Sequence, residues 1–172
     1  AERIYSTYFV ARGDNEWAEA NREELQQTYL MTKHHVAVED KLTIKIMDGY
    51  FAEQVEPDTY HDIKTWWVVI DRTTNEVVPT ENWTYSEETG EVEINNVSKW
   101  HEYTVSFLAY CIWDPTQMYN HITNNWGDKP HEMPFDARKP KTNKHIIEAM
   151  HNWLDEHPES NVVRFTTFFY HF

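Results

Sequence analysis

Between Tyr103 and Asn120 the chain reads Tyr-Thr-Val-Ser-Phe-Leu-Ala-Tyr-Cys-Ile-Trp-Asp-Pro-Thr-Gln-Met-Tyr-Asn. Its first ten residues are almost unbrokenly apolar, aromatic or β-branched, the pattern of a strand buried on both faces, as in a parallel sheet. Asp114 and Pro115 then form a helix entry, because Asp is a good N-cap and Pro is preferred at the first helical position. Met118, Tyr119, Ile122 and Trp126 fall at helical spacing, and Gly127 suits the stop. The reading places Thr116, Gln117 and Asn120 on the first turns of a helix leaving the carboxyl end of a core strand. Ligands gather at that position in α/β architectures.

Working outward, Ile4 to Val10 reads as a strand, Arg12-Gly13-Asp14-Asn15 as a turn, and Glu16 to about Gln27 as a short helix with a thin apolar stripe. From Thr28 to Ile94 short apolar runs alternate with turns, the signature of β-hairpins, including one around Glu88-Thr89-Gly90-Glu91. A stretch of antiparallel character between two α/β pieces predicts an inserted β subdomain. Pro130, Pro134 and Pro140 mark a loop over 128–141. Thr142 to His157 is the clearest helix, with Thr142 as its cap, Ile146, Ile147, Met150, Trp153 and Leu154 on one face and Pro158 ending it. Asn161 to Phe169 is again strand-like. The strands at 103–112 and 161–169, joined through helices, predict a right-handed βαβ crossover. The domain reading is 1–27 as strand and helix, 28–100 as β-rich insertion, and 101–172 as strand, helix and strand.

With 40% hydrophobic and 15% aromatic residues, the 172-residue chain is globular rather than disordered. Its formal charge of -14, from 29 acids against 15 bases, argues against nucleic acid, which is bound by clustered Lys and Arg. No apolar run approaches the roughly 20 residues of a membrane span and no signal-peptide pattern occurs, so no membrane partner is expected. The single cysteine, Cys111, reads as a packed thiol in a reducing compartment. Both ends fall in strand-like sequence, which predicts a fragment of a longer protein.

Arg164, inside Val-Val-Arg-Phe-Thr-Thr-Phe-Phe, needs an anion, because an unpaired buried charge costs several kcal/mol. That anion is either a core carboxylate or a bound phosphate or carboxylate ligand, for which Arg offers a two-pronged fork. The ten histidines show no metal-ligand spacing: His34 and His35 point to opposite faces of a strand, and His145 and His151 diverge on a helix. No metal or cofactor is expected. Among the carboxylates, Asp114, Asp14 and Glu16 stand after strands, where capping and chemistry remain alternatives.

Beyond these readings, Ile-Tyr-Ser-Thr-Tyr at 4–8, Asp-Asn-Glu-Trp at 14–17, Ile-Asp-Arg-Thr-Thr at 70–74, Tyr-Thr-Val-Ser-Phe-Leu-Ala-Tyr at 103–110, Ile-Trp-Asp-Pro at 112–115, Met-Tyr-Asn at 118–120 and Arg-Phe-Thr-Thr-Phe-Phe at 164–169 closely resemble one family. It is the 1,3-β-galactosyl-N-acetylhexosamine phosphorylases of glycoside hydrolase family 112, which also holds galactosyl-rhamnose phosphorylases. The resemblance implies an α/β fold, a fragment of a (β/α)8 TIM-like barrel comprising about its second to fourth strands, with an inserted antiparallel β subdomain. It implies reversible phosphorolysis of a β-galactoside, with inversion, to α-galactose 1-phosphate and an acceptor sugar. Inorganic phosphate is then the co-substrate. The implied partners are the disaccharide, phosphate and the remaining segments of the same cytoplasmic enzyme, with a homodimer as one possible assembly.

By the same resemblance Arg164 matches a phosphate-binding arginine, while Pro115, Thr116 and Asn120 match positions lining the acceptor sugar. Members acting on N-acetylhexosaminides often carry Val where this chain has Thr116, which leaves the acceptor open between N-acetylhexosamine and rhamnose. The family's general acid, on a later strand, and an Arg-Asp-Ser-Asp-Gly segment before residue 1 fall outside this chain, so the fragment alone is expected to be inactive. The alternative is a self-standing, non-catalytic carbohydrate-binding or interaction module that uses the β insertion and its aromatics.

Overall fold

The computed structural model describes residues 6–9, 14–113, 125 and 132–165. The chain divides into two compact units, one drawn from residues 1–26 and 111–172 and the other from 27–110.

In the first unit Ser6–Phe9 (β1) and Val162–Phe165 (β11) pair in parallel, with Ser6 opposite Val162 and Phe9 opposite Phe165. Parallel partners need a crossover rather than a tight turn, and the whole intervening chain supplies it. Asp14 caps Asn15–Ala20 (α1) by accepting the Trp17 N–H at 2.9 Å. The helix stops well short of the expected Gln27: the Asn21 side chain donates to the Trp17 carbonyl at 2.8 Å and the chain tightens into a 3₁₀ turn at Arg22–Glu24.

That turn fixes the start of the long helix Pro140–Glu156 (α3). Pro140, expected in a loop, is instead the first helical residue, where its missing N–H costs nothing. Thr142 is not the cap. It lies inside the first turn, fully buried, and both its N–H (3.2 Å) and its hydroxyl (2.7 Å) donate to Glu24 Oε2. A distant carboxylate thus does the N-cap's work, because the residue in the cap position, Lys139, makes no side-chain cap bond. Lys139 donates to the Glu23 carbonyl and Lys141 to the Glu23 carboxylate at 3.0 Å, adding two ties across the same junction. Leu25 bridges Phe135, and both are buried. Along α3 the predicted apolar face is half-exposed, and Ile147 is exposed.

The second unit is an antiparallel sandwich. One sheet runs Gln27–Met31 (β2), Glu102–Cys111 (β10), Val68–Asp71 (β6) and Glu76–Val77 (β7), with His35–Val36 (β3) and Val55–Pro57 (β5) also on β10. The other sheet orders Lys41–Lys45 (β4), Glu91–Asn95 (β9) and Trp83–Ser86 (β8). Gly90, at φ +66, helps close the hairpin between Trp83–Ser86 and Glu91–Asn95, which the sequence had marked. Between the sheets Ile44, Trp67, Val69, Trp83, Val92, Ile94, Val105 and Phe107 form one buried core. Each such side chain contributes roughly 1.5–3 kcal/mol by leaving water. Asp62 caps the short helix Ile63–Trp66 (α2), and the strand that follows begins at Val68. Lys64, on that helix, lies 3.5 Å over the Trp83 ring and donates to the Thr80 and Trp83 carbonyls; burial lowers its pKa.

The strand at 103–112 corrects the parallel-sheet reading. It is the hub of an antiparallel sheet, pairing with β2, β3 and β6, and β11 pairs with β1 rather than with it. Its burial on both faces has another origin. Tyr103, Val105, Phe107 and Ala109 face the sandwich core. On the opposite face Arg72 Nε donates to the Thr104 hydroxyl, while in the plane of the sheet the strand's Leu108 carbonyl takes the Asp58 N–H. A continuous apolar run fits a sandwich core as well as a parallel sheet. Between β2 and β3 the Thr32 hydroxyl accepts the Val105 N–H at 3.0 Å. Cys111 is half-buried. Among the described residues no helix is long and apolar enough to cross a membrane.

Replacing Glu24 by Ala is expected to lower the unfolding free energy by about 1–3 kcal/mol, the range for stranding a buried donor. Glu24→Gln keeps an acceptor oxygen and should lose less. Urea denaturation separates them, and equal losses would shift the contribution from hydrogen bonding to charge.

Candidate active site at the parallel strand ends

Among the described residues β1 and β11 run in one direction as far as Phe9 and Phe165, which puts these two residues at the carboxyl side of the ladder. Arg164 is the penultimate residue of β11 and stands in register with Tyr8. This is the edge where a parallel arrangement places ligand-binding groups. Pro115, Thr116 and Asn120, together with Asp114 and the predicted helix that carries them, lie outside the described residues.

The segment after β1 returns at Asp14, where capping and chemistry were alternatives. The carboxylate caps α1 and also meets His145 Nε2 at 3.0 Å. His145 lies flat on Trp17, with ring centroids 4.2 Å apart and 7° between planes, and Trp17 packs edge-on against Phe135 at 5.1 Å. Asn15 Oδ1 accepts the Met133 N–H at 3.0 Å. Asp14, Trp17 and His145 therefore tie α1 to the second turn of α3. Glu16 remains exposed in the first turn of α1, where a negative charge favours the helix dipole. Sequence reading considered His145 only as a metal ligand. Its partner lies 131 residues away, and no local pattern announces such a contact.

The second unit contains a carboxylate–imidazole pair in which the carboxylate is buried and the imidazole half-exposed. Asp58, 1% exposed, accepts from Gln27 Nε2 (2.6 Å), from the Tyr60 and His61 backbone N–H groups, and meets His61 Nδ1 at 2.7 Å. The Asp-x-x-His spacing was the available signal, since an Asp side chain readily caps the turn that follows it. A second pair joins Asp71 to His101 at 2.7 Å, with the Thr73 and Thr74 N–H groups on the same carboxylate. Burial pushes the Asp71 pKa up, but His101 and the two N–H groups outweigh it and hold the carboxyl below its ordinary value. The depressed folded-state pKa stabilises the fold above the ordinary carboxyl value of about 3.9. That stabilisation fades as pH falls through the lower folded value.

The model of the lacto-N-biose phosphorylase N-terminal TIM barrel domain matches residues 1–172. Over 171 residues the chain is 51% identical to a 1,3-β-galactosyl-N-acetylhexosamine phosphorylase of Lachnoclostridium phytofermentans, covering 99% of this chain and 24% of that protein. It is 48% identical to the enzyme of that name from Bifidobacterium longum, covering 99% of this chain and 23% of the relative. A D-galactosyl-β-1→4-L-rhamnose phosphorylase of Lachnoclostridium phytofermentans is 42% identical over 98% of this chain and 23% of its own length. The chain spans about a quarter of the length of these relatives.

Asp71→Asn should flatten the acid limb of the stability curve, read as urea midpoints against pH: the variant is less stable near neutrality and the two proteins converge below about pH 4. An acid limb as steep as that of the unmodified chain would mean that Asp71 keeps an ordinary pKa.

Proposed function

The chain belongs to the lacto-N-biose phosphorylase family, and on that premise we propose that it is the N-terminal part of a cytoplasmic phosphorylase that splits a β-galactoside with inorganic phosphate. β1 and β11 act as neighbouring wall strands of a TIM-like barrel, and the antiparallel unit 27–110 is inserted between them. The supporting observation is the parallel register that brings Arg164 to the carboxyl edge beside Tyr8.

In this reading Arg164 binds phosphate. A guanidinium matches two phosphate oxygens at once and keeps its charge at any working pH. It also offsets the repulsion that a chain of formal charge -14 imposes on an incoming dianion. A phosphate oxygen attacks the anomeric carbon from the face opposite the acceptor. The C–O bond to phosphate forms as the glycosidic C–O bond breaks, and configuration inverts to give α-galactose 1-phosphate. One carboxylic acid, supplied by the remainder of the enzyme, gives its proton to the leaving oxygen. Phosphate is already anionic, so the second carboxylate that an inverting hydrolase uses to activate water is unnecessary. Pro115, Thr116 and Asn120 line the acceptor sugar, and Thr116 offers a hydroxyl where Val would offer a methyl.

In the enzyme containing this chain, Arg164→Ala should reduce kcat/KM for phosphate by about 10- to 1000-fold, roughly 1.4–4 kcal/mol of transition-state stabilisation. Unchanged phosphate dependence would remove Arg164 from the site. Thr116→Val should shift the ratio of rates with rhamnose and N-acetylhexosamine acceptors in the synthetic direction; a constant ratio would reduce the residue to packing.

A further inference from the structure

The second unit holds a cavity of about 190 Å³ that no part of the phosphorylase reading uses. One side comes from Glu76, Val77 and Pro79, another from Asn82 at the end of a 3₁₀ turn, and a third from Asn95, Asn96 and Ser98 at the end of β9, with Tyr103 among the lining residues. Asn82 and Asn95 are half-buried, yet among the described residues the side-chain amides of Asn82, Asn95 and Asn96 make no hydrogen bond to the protein. Three carboxamides around one hollow, Asn96 exposed among them, offer donors and acceptors that a ligand can take in place of water.

The lining also says what that ligand is not. It contains no Lys, Arg or His, and Glu76 adds negative charge, so an anion has nothing to hold it. Asp71 lies at the wall, but its oxygens are taken by His101 and by the Thr73 and Thr74 N–H groups. One remaining carboxylate does not make a cation site. Amides both donate and accept, as neighbouring hydroxyls on a ring do, while Val77 and Pro79 supply an apolar wall for its C–H face. The wall at 95–98 is held in shape: the Val97 N–H donates to the Asp40 carbonyl at 3.2 Å, the Ser98 N–H to the Tyr103 hydroxyl at 2.9 Å, and Asn96 takes a left-handed φ of 57°. The volume falls below the roughly 300 Å³ at which drug-sized pockets begin, which suits a single ring.

We propose that this cavity is a binding site for one neutral, hydroxyl-rich ring of the hexopyranose class, built from the antiparallel unit alone. It goes beyond the phosphorolysis reading and does not depend on it. The test is calorimetric titration of the full-length enzyme with N-acetylglucosamine and with D-galactose, before and after the double substitution Asn82→Ala with Asn95→Ala. Glycerol serves as the flexible polyol control. The expected result is a binding event weakened at least 10-fold in the double variant, with kcat and KM for the disaccharide and phosphate unchanged and no heat with glycerol. Titrations that do not differ between the two proteins, or glycerol binding as strong as that of the sugars, would overturn the site. An enzyme without phosphorolytic activity would overturn the proposed reaction and leave this titration readable.

Discussion

The parallel ladder between Ser6–Phe9 and Val162–Phe165 is the constraint from which the rest of the first unit follows. Parallel strands cannot be joined by a hairpin, so the chain between Phe9 and Val162 must cross back before the second strand can pair with the first. Helices α1 and α3 make part of that journey, and they are braced to each other at two points. Asp14 meets His145 in the second turn of α3, and Glu24 meets the buried Thr142 in its first. Each brace uses a carboxylate that already serves helix or turn geometry.

The antiparallel unit is built on different physics. Its core lies between two sheets that share β-branched and aromatic side chains, and Glu102–Cys111 belongs to the sheet carrying most of the pairing. The chain enters this unit at Gln27 and leaves it at Tyr110, and these two residues are partners in one register. An element whose ends meet in this way can be accommodated within another fold without displacing the strands that flank it.

Much of this was legible where the signal is local. The hairpin at Gly90, the strand at the amino end, the long helix and the strand at Arg164 all follow from period, turn chemistry and β-branched content. Legibility failed where tertiary contacts decide. The run at 103–112 looks the same whether its two faces are covered by helices or by a second sheet and an arginine. Pro140 reads as a loop residue until Glu24 is seen capping the helix it opens. His145, Asp58 and His61 gain their roles from partners that no periodicity reveals, although the Asp-x-x-His spacing offered a hint. The likeness to the phosphorylases rests instead on long strings of residues spread over nearly the whole chain, and a relative 51% identical matches 99% of it within a protein about four times as long.

The central claim is that the carboxyl edge of the parallel pair holds an oxyanion at residue 164. It is tested most directly by a crystal structure of the complete enzyme with phosphate bound. The account predicts phosphate oxygens about 3 Å from the Arg164 guanidinium nitrogens, at hydrogen-bond distance. Phosphate seated elsewhere, with Arg164 paired to a carboxylate of the protein, would contradict it.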